Sequence, residues 1–350
     1  MVIKSIQLKN FRNHKDTRLG LGSGVNVLVG DNAQGKTNLL EAIFLTCVGR
    51  GWRTHKDKDL IQFGHDFAKV KTIAQKEYGE VEVDIKLSRD AKKAISINGI
   101  PVQKMGELMG QINCVFFSPD ELRLVKEAPA DRRRFLDIDI SQLDKSYFYA
   151  LLRYNKILAQ RNALLKSVGE DIEKWLDIWD VELAKAGTQI IEKRIEFIER
   201  LKGKVASVHG FLTNNEEEIV LSYEGVKNDL SEELEKAREK DMRLRTTTIG
   251  PHRDDICILV SGKDVRSFAS QGQQRTVALS IKLAELEIFK ELTGEMPVLL
   301  LDDVLSELDA KRQQRLLHAL TGVQAVITAT QFDGAIDDLN VFNISDGSIL

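Results

Sequence analysis

The sequence predicts an α/β fold in which one domain, built from both ends of the chain, carries a mainly helical insertion. Three observations predict it. Short apolar and alternating runs fill the first third, whereas from about Pro119 to Arg245 apolar residues recur three and four apart. Strand-like and helix-like patterns then alternate to the C-terminus. A glycine- and lysine-bearing loop lies near the start of the chain, and an apolar run ending in two carboxylates lies near its end.

In order along the chain, Val2 to Leu8 and Val25 to Val29 are apolar-rich runs of strand length. Asn38 to Val48 has a helical pattern. Phe67 to Ala74 and Val81 to Leu87 alternate with period two, and Asn98-Gly99 is a hairpin-turn signal. Ile112 to Phe117 reads as a buried strand. In the helical segment, Leu151, Leu152, Ile157, Leu158, Leu164 and Leu165 form one periodic set. Leu183, Ile190, Ile191, Ile195, Ile198 and Leu201 form another. Heptads do not persist beyond a few turns, so no long coiled coil is expected. Strand signals return at Ile256 to Val260, Val298 to Leu301 and Ala325 to Thr328. Helical patterns cover about Gln273 to Leu292 and Ala310 to Leu320. The expected division is residues 1–118 and 246–350 in one α/β lobe and residues 119–245 in a helical lobe.

Composition narrows the class. A chain of 350 residues with 43% hydrophobic and 29% charged residues is long enough for a substantial core. No apolar run reaches membrane-spanning length, and Met1-Val-Ile-Lys-Ser lacks the apolar core of a signal peptide. Cys47, Cys114 and Cys257 are odd in number and stand without metal-ligand spacing. They read as reduced thiols of a cytoplasmic protein without zinc. The net charge of −3 gives nucleic-acid binding no support in bulk, although a local basic face suffices for it.

The chemistry sits in two motifs. Gly30-Asp31-Asn32-Ala33-Gln34-Gly35-Lys36-Thr37 matches GxxxxGK[ST] between a strand and a helix, the context of a phosphate-binding P-loop. The glycines allow a tight turn with inward N–H groups, and the helix N-terminus adds positive potential. Lys36 is expected to reach the β/γ-phosphates of ATP, and Thr37 to hold Mg²⁺. Val298 to Asp303 is an apolar strand ending in two carboxylates. Asp302 is the expected second Mg²⁺ ligand and Asp303 the base for an attacking water. Without a P-loop in the chain, the pair would equally serve to end a core strand.

Ala269-Ser270-Gln271-Gly272-Gln273-Gln274-Arg275, residues 269–275, opens the long helix before that strand. It resembles the signature loop of ABC-type ATPase heads, with Ser270, Gly272 and Gln273 at the telling positions. Taken alone, it also reads as a helix N-cap. Ser306-Glu307-Leu308-Asp309 resembles the D-loop of the same class, and Asp309 likewise reads as an N-cap. Further stretches are Lys9-Asn10-Phe11-Arg12-Asn13, Phe117 to Leu122, Pro129 to Asp137, Gly250 to Asp255 and Leu299 to Lys311. In this order, over nearly the whole chain, they resemble the RecF family of bacterial DNA-repair proteins.

That resemblance implies an ABC-type P-loop head with an antiparallel β subdomain in lobe I and a compact helical lobe II. It implies an ATP-dependent homodimer in which the signature loop of one protomer reaches the γ-phosphate held by the other. It further implies binding of duplex or junction DNA, and action with RecO and RecR to place a recombinase at gaps. Arg12 is implied as a contact to the nucleotide or its edge. The pair Asp302-Asp303 replaces the Asp-Glu usual in ABC heads, which predicts slow hydrolysis. Where many relatives have a phosphate-sensing His, this chain has Thr328-Ala329-Thr330-Gln331, so Thr330 or Gln331 takes that place.

For DNA, the basic stretch Arg50, Arg53, His55, Lys56 and Lys58, and the pair Lys92-Lys93, are phosphate-contact candidates or simply a solvated face. Arg133 and Arg134 of the Arg132-Arg133-Arg134 run read equally as partners for internal carboxylates. Phe11 and Trp52 read as packing residues, and His252 as structural. Two other functions compete: an ABC ATPase driving transport, and an SMC-like head that bridges proteins without binding DNA.

Overall fold

The structure is a computed structural model that describes residues 1–54, 56–167, 172–226, 228–332, 334 and 338–350. In chain order the first elements are β1 (Val2–Phe11), β2 (His14–Gly20), β3 (Val25–Val29), α1 (Lys36–Val48), β4 (Phe67–Lys76), β5 (Gly79–Ser88), β6 (Ala94–Ile97), β7 (Ile100–Pro101) and β8 (Cys114–Phe117). There follow α2 (Arg123–Lys126), α3 (Pro129–Leu143), α4 (Lys145–Leu164), α5 (Ile172–Thr213), β9 (Ile219–Glu224) and α6 (Leu230–Leu244). The chain ends with β10 (Asp255–Val260), β11 (Lys263–Asp264), α7 (Val265–Phe268), α8 (Gln271–Thr293), β12 (Val298–Asp302), α9 (Ala310–Ala319), β13 (Ala325–Ala329), β14 (Leu339–Ser345) and β15 (Ser348–Ile349).

Two sheets enclose α1. One is antiparallel, in the order β2-β1-β4-β5-β6-β7, with β6 and β7 joined at Asn98-Gly99. The other runs β15-β14-β3-β13-β12-β8 and is parallel from β14 to β8. Its central strands β3, β13, β12 and β8 are mostly apolar and buried because both faces are covered, whereas the edge strand β14 is half exposed. On β12, Val298 and Leu300 pack toward α1 and the antiparallel sheet, whereas Leu299 and Leu301 pack toward α8 and the helical layer. Helix α1 lies between the two sheets, and so is apolar nearly all round.

The segment 119–245 is helical with one correction: Ile219-Val220-Leu221-Ser222-Tyr223-Glu224 forms strand β9. It pairs antiparallel with β10, which pairs with β11. Ile219 and Leu221 are buried while Val220 is exposed, the alternation of a strand with one covered face. The two periodic sets of the middle segment fall on α4, with Leu165 at its C-cap, and on α5. Helix α5 is a single helix of 42 residues that packs on α4, α6, α8 and β9 rather than extending as a coiled coil. No helix among the described residues is long and apolar enough to cross a membrane.

Candidate nucleotide-binding site

The loop from Gly30 to Gly35 joins the C-terminal end of β3 to α1, beside the ends of β12 and β13. Two glycines are required by their surroundings. A Cβ on Gly30 would lie 2.3 Å from the Ile344 carbonyl oxygen. Gly35 has φ 111°, and a Cβ there would lie 2.7 Å from Asn13 Nδ2. Ala33 adopts φ 66° between them, a left-handed turn of the kind that gathers N–H groups into an anion-binding concavity. Helix α1 has no side-chain N-cap and no acidic residue in its first turn. Its first N–H groups and positive dipole end are therefore available to an anion. Lys36 Nζ donates to the carbonyls of Gly30 and of Asp31, the latter at 2.7 Å. Burial lowers the Lys36 pKa, an effect opposed by the charges of Asp303, Asp302 and Asp31. A phosphate in the concavity would accept from the Lys36 ammonium in place of the two loop carbonyls, so these residues fit a nucleoside triphosphate.

The two members of the acidic pair stand in different settings. Thr37 Oγ1 donates to Asp302 Oδ1 at 2.7 Å, and Thr328 Oγ1 donates to the same oxygen at 2.8 Å. Burial raises the Asp302 pKa despite these two donors. A buried carboxylate oxygen beside a threonine hydroxyl, poorly compensated in charge, fits a hard dication that completes its shell with water and phosphate oxygens. Asp303 turns out of the strand with φ 51° and donates its backbone N–H to Thr328 Oγ1 at 2.8 Å. Left-handed backbone at a non-glycine residue is a local cost that recurs at functional positions.

A supporting ring holds the loop. The His14 imidazole spans the carbonyl oxygens of Gly35 (Nε2, 3.1 Å) and Gly347 (Nδ1, 2.8 Å). Asn13 Nδ2 donates to the Gln34 carbonyl at 3.0 Å, and Asn38 Nδ2 donates to Asn13 Oδ1 at 2.7 Å. Gln34 in turn accepts from the N–H groups of Asp346 and Gly347. Asp31, Asn32 and Ala33 are exposed at the loop tip.

Glu41 belongs to no motif of the sequence. It is fully buried on α1, and Arg12 and Arg53 both form ion pairs with its Oε2, at 2.9 and 2.8 Å. A single charge within Leu39-Leu40-Glu41-Ala42-Ile43-Phe44-Leu45 was the available signal. Removing one partner of a buried ion pair leaves charge uncompensated. Glu41→Ala is therefore expected to cost about 3 kcal/mol of unfolding free energy, read from urea denaturation.

The signature-like loop caps α8. Ser270 Oγ accepts from the Gln273 N–H at 3.2 Å, and Gln273 Oε1 accepts from the Ser270 N–H at 2.8 Å, a reciprocal capping box. Gln273 Nε2 also donates to Glu217 at 2.9 Å. Gly272 is half-buried at the same helix start, and Phe268, just before it, is 71% exposed. Asp309 caps α9 through the Arg312 N–H at 3.0 Å. Thr330 and Gln331 are exposed, whereas Thr328 is the residue of that segment bound to Asp302.

Of the basic residues, Lys56 and Lys58 face solvent. Arg53 is bound to Glu41, and Arg50 lines a cavity behind α3. Lys92 is exposed, while Lys93 is held by the Gly49 carbonyl and Asp57. His55 lies outside the described residues. Phe11 is fully buried, and Trp52 stacks on Phe116 at a centroid distance of 4.0 Å. In the triple-arginine run, Arg132 takes the carboxylate, gripping both oxygens of Asp255, while Arg133 and Arg134 donate to the carbonyls of Asp254 and Trp52.

His252 is neutral in its setting. Its Nε2 donates to the Thr247 carbonyl at 3.1 Å, which leaves Nδ1 to accept from Tyr154 Oη at 2.6 Å. Burial lowers its pKa to about 4. The unfolded chain binds a proton there near pH 6.5 while the folded chain does not. Stability from this residue is therefore lost as pH falls from 6.5 toward 4. His252→Gln is expected to flatten that part of the pH–stability curve in thermal unfolding.

The chain matches the RecF/RecN/SMC N terminal domain family over residues 2–334. It is 43% identical over 357 residues to the DNA replication and repair protein RecF of Agathobacter rectalis, covering 100% of this chain and 99% of that one. A solved structure described as the recombination mediator protein RecF-ATP in the RecFOR pathway aligns with TM-score 0.91 at 40% identity, covering 99% of this chain and 96% of that one. The Smc head domain of Pyrococcus furiosus, with an extended coiled coil and bound to the C-terminal domain of ScpA, aligns with TM-score 0.59 over 99% of this chain and 95% of that one. At 16% identity, that likeness is one of fold alone.

Proposed function

The chain belongs to the RecF family, and on that premise we propose that it is an ATP-binding DNA replication and repair protein working as an ATP-gated DNA clamp in the cytoplasm. The observation that carries the reading is the convergence of Thr37, Asp302 and Thr328 beside the lysine-bearing loop. Residues 1–118 and 246–350 form the nucleotide-binding lobe, and residues 119–245 form the helical lobe. Gly30 to Thr37 enclose the phosphates, with Lys36 on the terminal ones, and Arg12 lies at the nucleotide's edge. Thr37 and Asp302 would hold Mg²⁺, which would supply neutralising positive charge to the phosphates.

Asp303 accepts a proton from the attacking water. The aspartate reaches one methylene less far than a glutamate, which fits slow hydrolysis that serves to release the clamp. Ser270, Gly272 and Gln273 close over nucleotide held by a second copy of the chain. Support for this comes from the exposed Phe268, an apolar side chain suited to being covered by a partner. Arg50, Arg53, Lys56 and Lys58, all exposed, contact DNA phosphates at duplexes and single-strand/double-strand junctions, and RecO and RecR act with the clamp to load a recombinase. Sedimentation with and without ATP and Mg²⁺ tests the gate: the account expects monomer without nucleotide and dimer with it. The same mass under both conditions would contradict it.

A further inference from the structure

A cavity of about 260 Å³ lies where the nucleotide-binding part meets the helical part, lined from separate elements by Arg50, Arg133, Arg134 and Arg194. Arg50 follows α1, Arg133 and Arg134 lie on α3, and Arg194 lies on α5. Asp137 is the one carboxylate on the lining, and it is already engaged: Arg194 binds it at 2.7 Å and Tyr147 donates to it. The nearby Asp254 and Asp255 are also committed, to Tyr223 and to Arg132. Among the described residues, Arg50, Arg133 and Arg134 have no carboxylate at ion-pair distance. Arg133 and Arg134 each place one guanidinium N–H on a main-chain carbonyl, which leaves most of each fork unused.

Like charges do not gather in a half-enclosed space without cost. Burial, and next to it the Arg194 charge, push the Arg133 pKa below the ordinary arginine range. His252, on the same lining, adds no positive charge because it is neutral above about pH 4. A ligand with a single negative charge would leave this cluster under-compensated. A phosphomonoester carries nearly two charges and offers three oxygens to planar guanidinium forks. The exposed Asn155 at the rim adds an amide.

We propose that this cavity is a second anion site, separate from the P-loop, which binds a terminal phosphate group borne either by a free nucleotide or by the end of a polynucleotide. It draws together Arg133 and Arg134 of the arginine run with Pro251 and His252, none of which the nucleotide site uses. Through Arg133 on α3 and Arg50 at the end of α1, occupancy would bind the two parts of the molecule to one ligand.

The test is calorimetric titration of the full chain with its P-loop saturated by Mg²⁺ and a non-hydrolysable ATP analogue. The probes are AMP, a 5′-phosphorylated tetranucleotide and the same tetranucleotide with a 5′-hydroxyl. At least one phosphorylated probe is expected to bind at one site per chain, and the 5′-hydroxyl probe is not. Arg133→Gln and Arg50→Gln are each expected to weaken that binding about tenfold, the loss of one charge-assisted hydrogen bond. Both variants should melt near the wild-type temperature; if Arg133→Gln does not fold, Arg50→Gln carries the test. Binding of AMP alone assigns a free nucleotide, and binding of the phosphorylated tetranucleotide assigns a polynucleotide end. The proposal is overturned if neither phosphorylated probe binds, or if binding is the same in wild type and every folded variant.

Discussion

Lys36→Ala is expected to weaken ATP binding by about ten- to a hundredfold, and with it to abolish nucleotide-dependent dimerisation. A hydrogen bond to a charged group contributes roughly 1.5–3 kcal/mol, and the Lys36 ammonium is the one side-chain cation the loop itself presents to phosphate. Its present partners are the loop carbonyls of Gly30 and Asp31, which hold the side chain folded over the concavity. Alanine removes the charge and leaves those two carbonyls without their shared donor, so the loop should also become less ordered. Equilibrium binding of a fluorescent ATP analogue reads the first effect, and light scattering reads the second. Unchanged affinity would mean that the N–H groups at the start of α1 hold the nucleotide without the lysine.

Asp303→Asn is expected to leave ATP binding close to wild type while slowing hydrolysis by about two to four orders of magnitude, the contribution of a positioned general base. The substitution is conservative for the backbone. Asp303 has φ 51°, and asparagine is among the few residues that tolerate the left-handed region. The N–H bond to Thr328 Oγ1 at 2.8 Å does not involve the side chain and is retained. The dimer should then persist long after ATP is added, instead of decaying with turnover. Single-turnover phosphate release, followed alongside light scattering, separates the two readouts. Wild-type turnover in this variant would move the base elsewhere and remove the release step assigned to Asp303.

The parts of the site legible in the sequence are those that short, fixed spacings define. Gly30 to Thr37 needs only a strand before it and a helix after it, and both are present as β3 and α1. Val298 to Asp302 is apolar without alternation because a parallel strand is covered on both faces. The supporting shell is another matter. Glu41, His14 and Thr328 act through partners far away in the chain, such as Gly347 for His14 and Asp302 for Thr328. No local pattern encodes those pairings.

Helix geometry explains the arginine run. One residue along α3 rotates a side chain by about 100°. It is therefore Arg132, rather than Arg133 or Arg134, that reaches Asp255. Strand β9 carried a readable alternation, but helix formers on both sides obscured it. Its pairing with β10, after α6 intervenes in the chain, is a tertiary fact.

The central claim is that ATP gates a grip on DNA. Fluorescence anisotropy of a labelled gapped duplex, titrated with the full chain with and without ATP and Mg²⁺, addresses it most directly. The account predicts binding that appears with ATP and Mg²⁺ and falls away without them. Binding of equal strength in both conditions, or none in either, would contradict it.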